Sequence, residues 1–176
     1  MERTYIKDVL GKVGQEVLIK GYVDIRRDHG KLIFIDLRDM TGKVQMVVLP
    51  NHKDAQAAAQ ALRSEWTVAI TGKVNARPER MVNKDETLGT VEIEVTGVEV
   101  LGKAKELPFE ITSDINIDTY LDHLPLTLRA PKRRAVFKVQ AHIVKAFREY
   151  FTSEGFTEFQ APKLIGDDAE GGANSY

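Results

Sequence analysis

Phe34 and Gln45 are the side chains of this sequence best suited to holding a flat, hydrogen-bonding ligand. Both lie in Gly21–Gln45, GYVDIRRDHGKLIFIDLRDMTGKVQ. Strand side chains alternate between faces, so Lys31–Arg38 sends Ile33, Ile35 and Leu37 to one side and Phe34 and Asp36 to the other. In Lys43–Leu49 the same count turns Val44, Met46 and Val48 inward and Gln45 outward with Lys43. A ring for stacking, an amide that donates and accepts, and a rim of Lys20, Arg26, Arg27 and Lys31 are what a single-stranded nucleic acid requires. The competing reading is that Phe34 is covered by a helix or loop, and alternation does not separate the two.

The elements that must hold these side chains follow from turn chemistry and periodicity. Strands are expected over Val17–Ile25, Leu32–Arg38 and Val44–Leu49, joined by Asp28-His29-Gly30 and by Asp39–Gly42. After Pro50 the Ala-rich stretch His52–Glu65 predicts a helix of little apolar bulk, followed by strands over Trp66–Ala76 and Thr90–Leu101 around a polar loop, Arg77–Gly89. Three strands, a helix and two strands is the element order of the OB-fold, which binds oligonucleotides on its strand 2–3 face and through the first-to-second and fourth-to-fifth strand loops. Phe34 and Gln45 fall on that face. Arg26, Arg27 and His29 fall in or beside the first loop, and Arg77 and Arg80 in the other.

From Gly102 the texture changes. Lys103–Arg129, with Pro108 and Pro125 and no sustained period, reads as a linker with one short helix. Pro131 opens a helix in which Val136, Val139, Ile143, Phe147 and Tyr150 recur at spacings of three and four, the pattern of a buried stripe. Thr157–Leu164 reads as a strand. Such an apolar stripe implies a missing remainder or a partner subunit to cover it.

Composition bounds the function. At 176 residues, 43% hydrophobic and 29% charged, the chain has an ordinary globular composition. A net charge of −1 and a pI near 6.4 exclude coating of nucleic acid through bulk charge, so binding must rest on a local patch. There are no cysteines, and the four histidines, His29, His52, His123 and His142, are dispersed, so no protein metal site is expected. The charged N-terminus and the absence of any apolar run near the ~18 residues of a membrane span predict a cytoplasmic protein without membrane attachment.

These residues resemble a known family. The first hundred are similar to the anticodon-binding domain of class II aspartyl-, asparaginyl- and lysyl-tRNA synthetases, and Arg129–Tyr176 resembles the start of their catalytic domain. Arg129, Phe137, Gly155-Phe156 and Pro162 resemble class II motif 1, and AEGGA at Ala169–Ala173 resembles the mobile loop over the amino acid. GYVDIRRDHGKLIFIDLRDMTGKVQMVV with RPE and EIEV matches the aspartyl group best.

The fold class expected is therefore an all-β OB-fold five-stranded barrel (residues 1–102), a linker (103–130), and the first helix and strand of a class II synthetase α+β catalytic domain (131–176). The resemblance implies that Phe34 stacks on the middle anticodon base, a uridine, that Gln45 hydrogen-bonds it, and that Arg27, His29 and Arg77 belong to the anticodon site. Glu170 matches the glutamate facing the ammonium group of bound aspartate. Ile143, Phe147 and Pro162 are expected at a homodimer interface. Histidine at position 29 resembles enzymes that charge asparagine tRNA as well as aspartate tRNA.

In the family, ATP and its Mg2+ are held by motifs 2 and 3, downstream of motif 1. The sequence is thus expected to be an N-terminal portion of an aspartate-tRNA ligase, without catalytic residues or activity of its own. Asparaginyl and lysyl enzymes, or a free-standing OB-fold tRNA-binding module, are the alternatives.

Overall fold

The computed structural model describes residues 1–161, which fall in two compact units, Met1–Leu107 and Pro108 onward. In the first unit five strands close into a barrel in the order β1-β2-β3-β5-β4: β1 (Glu16–His29), β2 (Leu32–Arg38), β3 (Lys43–Val48), β4 (Thr67–Ala76) and β5 (Val91–Gly102). All pairs are antiparallel except β3 with β5, which closes the barrel in parallel. Helix α1 (Lys53–Ala61) lies between β3 and β4. This is the OB-fold order.

The inward set is the aliphatic one that alternation assigns. Ile33, Ile35 and Leu37 of β2 and Val44, Met46 and Val48 of β3 are buried, with Ile19, Val23, Ile70 and Ile93 from the other strands. Helix α1 adds Ala55 and Ala59, and the residue after it, Leu62, is also buried. The helix stops at Ala61, short of the expected Glu65, because Leu62 turns to extended backbone (φ −60°, ψ 143°) to reach the core. Glu65 then takes a positive φ of 65° and its N–H donates to the Val23 carbonyl at 2.8 Å.

Strand β1 is longer than expected, and it changes face partway. Along Glu16–Tyr22 it pairs with β4, and along Tyr22–His29 with β2. Between Val23 and Ile25 the register with β2 shifts by one residue, a β-bulge at Asp24. Unbroken alternation from Val17 would carry Ile25 and Arg27 inward. Instead Ile25 is 45% exposed, and both residues stand on the outer face. The carbonyl of Asp24, displaced from the ladder, accepts from Ser64 Oγ at 3.2 Å, and its carboxylate accepts from Arg38 Nε at 3.3 Å.

The turns are built by side chains. Gly30, at φ 75°, is the first central residue of the β1–β2 turn, where a type II′ hairpin needs positive φ, and its N–H donates to Asp28 Oδ1 at 3.0 Å. In the β2–β3 turn the Asp39 carboxylate accepts from Thr41 N (2.7 Å), Thr41 Oγ1 (2.6 Å) and Gly42 N (3.1 Å). Its other oxygen accepts from Ile6 N at 3.0 Å, tying down an N-terminal 3-10 helix, Ile6–Lys12, that buries Ile6 and Val9.

In the second unit two short helices, α2 (Ile117–Asp122) and α3 (Leu124–Thr127), occupy the stretch read as a linker, followed by α4 (Pro131–Ser153). Asn116 caps α2 by accepting from Thr119 N at 2.8 Å, and Arg133 donates to the carbonyls of Ser113 (2.8 Å) and Ile111 (3.3 Å). The expected long helix is present, but its apolar stripe is not buried. Val136, Val139, Ile143, Phe147 and Tyr150 are all exposed, because among the described residues only the segment just after the helix, Phe156 to Glu158, comes beside Ile143 and Phe147, leaving an open groove. Residues 157–161 form no strand, since no described segment offers them a ladder of partners, and 162–164 lie outside the described residues. No helix among the described residues is long and apolar enough to cross a membrane.

The close approach of β1 to β2 sets a test of the barrel. A Cβ on Gly21 would lie 2.4 Å from the Arg38 carbonyl oxygen, whereas one on Gly102 would meet nothing within 4 Å. Gly21→Ala is expected to lower the urea midpoint by the equivalent of about 1–3 kcal/mol, and Gly102→Ala to leave it unchanged. Equal midpoints for the two variants would contradict the packing described.

Candidate nucleic-acid interface

The outer face of β1, β2 and β3 gathers Arg27, Phe34, Asp36 and Gln45. Arg27 on β1 is the cross-strand partner of Phe34 on β2, Asp36 is the partner of Gln45 on β3, and Phe34 is the partner of Val47. Phe34 and Gln45 are thus diagonal neighbours on one face, within reach of a single base-sized ligand. Phe34 is half-buried: Val47 lies beside it and the His29 ring meets it edge-on, centroids 5.5 Å apart at 87°. It is neither sealed over by a helix nor fully free. The bulge brings His29 and Arg27 to this face.

Charge on the face is arranged rather than massed. The Arg27 guanidinium grips Asp36 with both terminal nitrogens, Nη1 to Oδ2 at 2.8 Å and Nη2 to Oδ1 at 2.9 Å. The hydrogen bonds to Asp36 hold the Arg27 guanidinium above its ordinary pKa against its partial burial, helped by the charges of Asp36 and Glu86. Glu86, from the β4–β5 loop, pairs with Lys43 at 3.1 Å. Burial pulls the Lys43 ammonium down, but its hydrogen bond to Glu86 and the charges of Glu86, Asp36 and Asp24 outweigh this and leave it raised.

Beyond β3 the face continues onto β5 and β4. Met46 pairs with Ile93 and Val47 with Glu94, and that register carried back two residues sets Glu92 level with Gln45. Glu92 is the ion partner of Arg77, Nε to Oε2 at 3.7 Å. The Arg77 side chain, expected in an open loop, is only 5% exposed, and its Nε and Nη2 have no hydrogen-bond partner among the described residues. Further along β5, Glu94 accepts from Asn75 Nδ2 at 3.1 Å and lies 3.2 Å from His52 Nε2.

The structure sorts the expected rim of cations. Arg27 stands beside Phe34. Lys20 lies on the half of β1 that pairs with β4, Arg26 faces away from Arg27 and pairs with Asp28 at 3.4 Å, and Lys31 sits in the β1–β2 turn. Asp36 was legible only as an outward acid. Its part in holding Arg27 depends on the bulge, which no alternation count contains. Ile143 and Phe147, with Val144, Phe151 and Phe156, line an open groove of about 520 Å³ on the second unit. Pro162 and Glu170 lie outside the described residues. No group of three or more His, Asp or Glu able to hold a metal ion occurs among the described residues.

Comparison with known proteins bears on what such a face reads. Residues 17–101 match the family described as OB-fold nucleic acid binding domain, and residues 116–176 match tRNA synthetases class II (D, K and N). The aspartate-tRNA(Asp/Asn) ligase of Syntrophomonas wolfei is 42% identical over 162 residues, covering 90% of this chain and 28% of that protein. The aspartate-tRNA(Asp/Asn) ligase of Bacillus subtilis is 41% identical over 172 residues, covering 95% and 29%. This chain therefore spans less than a third of the length of these curated relatives.

Among solved structures, aspartyl-tRNA synthetase from Entamoeba histolytica superposes with a TM-score of 0.82 at 26% identity over 94% of this chain and 40% of that one. Asparaginyl-tRNA synthetase from Pyrococcus horikoshii, complexed with asparaginyl-adenylate, gives 0.81 at 30% identity over 98% and 39%.

The half-buried state of Phe34 separates it energetically from its strand neighbour. Ile35→Ala, in the sealed core, is expected to cost about 2–5 kcal/mol of stability. Phe34→Ala is expected to cost about 1–1.5 kcal/mol, since part of its surface already meets water. Urea unfolding of both variants checks this; a Phe34 cost matching that of Ile35 would make the ring a core residue.

Proposed function

We propose that the chain, which matches the class II tRNA synthetases of the D, K and N group, reads the anticodon of a tRNA with its barrel. The whole protein is then an aspartate-tRNA ligase that activates aspartate with ATP to an aspartyl-adenylate and passes the acyl group to the tRNA. The relatives at about 40% identity, named as aspartate-tRNA ligases, support aspartate over asparagine or lysine.

The observation that carries the anticodon reading is the shared face of Arg27, Phe34 and Gln45. A base stacked on Phe34 presents its edge toward Gln45, whose amide both donates and accepts and so complements the adjacent carbonyl and N–H of uridine. Arg77, its side chain only 5% exposed, extends the same face by standing behind Glu92, the member of that pair open to a neighbouring nucleotide. The stripe of α4, with Ile143 and Phe147, serves as a homodimer interface in this reading, continued by Pro162, and Glu170 binds the amino acid.

The family match implies ATP use. The described residues do not fit a triphosphate with its Mg2+: their positive-φ glycines, Gly14, Gly30 and Gly155, sit at separate turns rather than in one phosphate cradle. No step through ATP is assigned to them.

The test is affinity for anticodon stem-loops at one fixed salt concentration. Phe34→Ala is expected to lose about 1–3 kcal/mol of binding irrespective of the middle base. Gln45→Ala is expected to lose about 1–3 kcal/mol mainly on stem-loops with a middle uridine. Unchanged affinity in a folded Phe34→Ala protein would refute the assignment.

His29 favours acceptance of both aspartate and asparagine tRNAs, which differ at the third anticodon base, C against U. Its ring, edge-on to Phe34 at the end of β1, supports a contact with the nucleotide next to the stacked base. His29→Leu is expected to widen the preference for C over U at that base by several-fold, measured as the ratio of stem-loop dissociation constants. An unchanged ratio would remove His29 from the discrimination.

A further inference from the structure

Asp36 is the one acid buried on the face that the anticodon reading uses. It is 5% exposed as a residue, yet it stands in the middle of the outer row, two residues from Phe34 and cross-strand from Gln45. Its side chain is 8% exposed while that of Arg27 is 39% exposed, so the carboxylate lies beneath the guanidinium and the guanidinium beneath solvent. An ion pair open to solvent on its arginine side contributes little to stability, because water screens it. It also spends a cation: a surface built to attract phosphate would leave Arg27 unneutralised. What the pair provides is geometry. Two N–H groups of the fork go to Asp36, one from each terminal nitrogen, and the three that remain are held in a fixed plane, on the residue that lies cross-strand from Phe34.

We infer that Asp36 is a positioning residue for base reading: it fixes the Arg27 guanidinium so that its remaining N–H groups meet the edge of the base stacked on Phe34, opposite Gln45. This rests on the anticodon reading above. Arg27 then contributes to the choice of base and not merely to attraction for the RNA backbone. Without Asp36 the arginine regains its rotamer freedom, so selectivity falls while non-specific attraction rises through the loss of a negative charge.

The experiment measures the affinity of the 176-residue chain for two anticodon stem-loops differing only in a middle uridine or cytidine, across a series of salt concentrations. The wild-type chain is expected to prefer uridine by roughly tenfold or more. Asp36→Asn, close in shape, is expected to lose most of that preference while binding both stem-loops at least as tightly at low salt. Arg27→Lys, which keeps the charge and the acid but not the planar fork, is expected to lose the preference to the same degree. In an Arg27→Ala background, Asp36→Asn is expected to change the preference no further, because it acts through the arginine.

Melting temperatures of all variants accompany the titrations, and Arg27→Lys carries the test if Asp36→Asn unfolds. An Asp36→Asn or Arg27→Lys protein that keeps the uridine preference while its salt dependence shifts would overturn the inference and make Arg27 a phosphate contact. A wild-type chain that binds stem-loops without preference at the middle base would overturn the anticodon reading itself, and the inference with it.

Discussion

Strand β1 must hydrogen-bond to two neighbours in succession, and the rest of the barrel depends on how it does so. It leaves β4 and joins β2 at Tyr22, and a single extra residue at Asp24 takes up the bend. The cost is a carbonyl and a carboxylate pushed out of the ladder, and both are satisfied locally, by Ser64 and by Arg38. Arg38 in turn reaches Glu65, the positive-φ residue that leads into β4, and lies 5.1 Å over the Tyr22 ring. The bend, the entry into β4 and the end of β2 are one connected network. Its consequence is chemical: Arg27 and His29 emerge on the face that already holds Phe34.

Inside and outside of the barrel follow different rules. The interior is aliphatic and sealed, and needs only correct volume. The outer face of β2, β3 and β5 is instead a row of paired charges and half-buried polar groups: Arg27 with Asp36, Lys43 with Glu86, Arg77 with Glu92. With nearly every cation answered by a carboxylate, the face matches a chain whose net charge is −1. Affinity for a polyanion is given up there, and position is gained. A surface of this kind distinguishes ligands by shape and hydrogen bonding.

Much of this was legible in the residues. Alternation in LIFIDLR and KVQMVV assigns the core and turns Phe34 and Gln45 outward correctly, because period two has no slack when one face must be buried. Asp39–Gly42 announces its turn for equally local reasons, whereas Asp28 and His29, read as part of a turn, are the last residues of β1 and the turn itself falls at Gly30-Lys31. What alternation cannot carry is a change of phase. The bulge at Asp24 decides that Arg27 joins Phe34 and that Arg26 does not, and it arises from long-range pairing with both β2 and β4. The depth of Arg77 was hidden too, since a loop arginine reads as solvated until Glu92 is seen beside it. On α4 the 3.6-residue period correctly marks an apolar stripe, but periodicity says nothing of what covers it, and among the described residues the stripe stands open.

The central claim is that the ring of Phe34 is a stacking platform for a nucleotide base. Nuclear Overhauser contacts between the Phe34 ring protons and an anticodon stem-loop labelled at its middle uridine test it most directly. The account predicts cross-peaks from the ring to the H5 and H6 protons of that uridine, with upfield shifts of both partners. Binding that leaves the Phe34 ring unshifted, with perturbations confined to other strands or to α1, would contradict it.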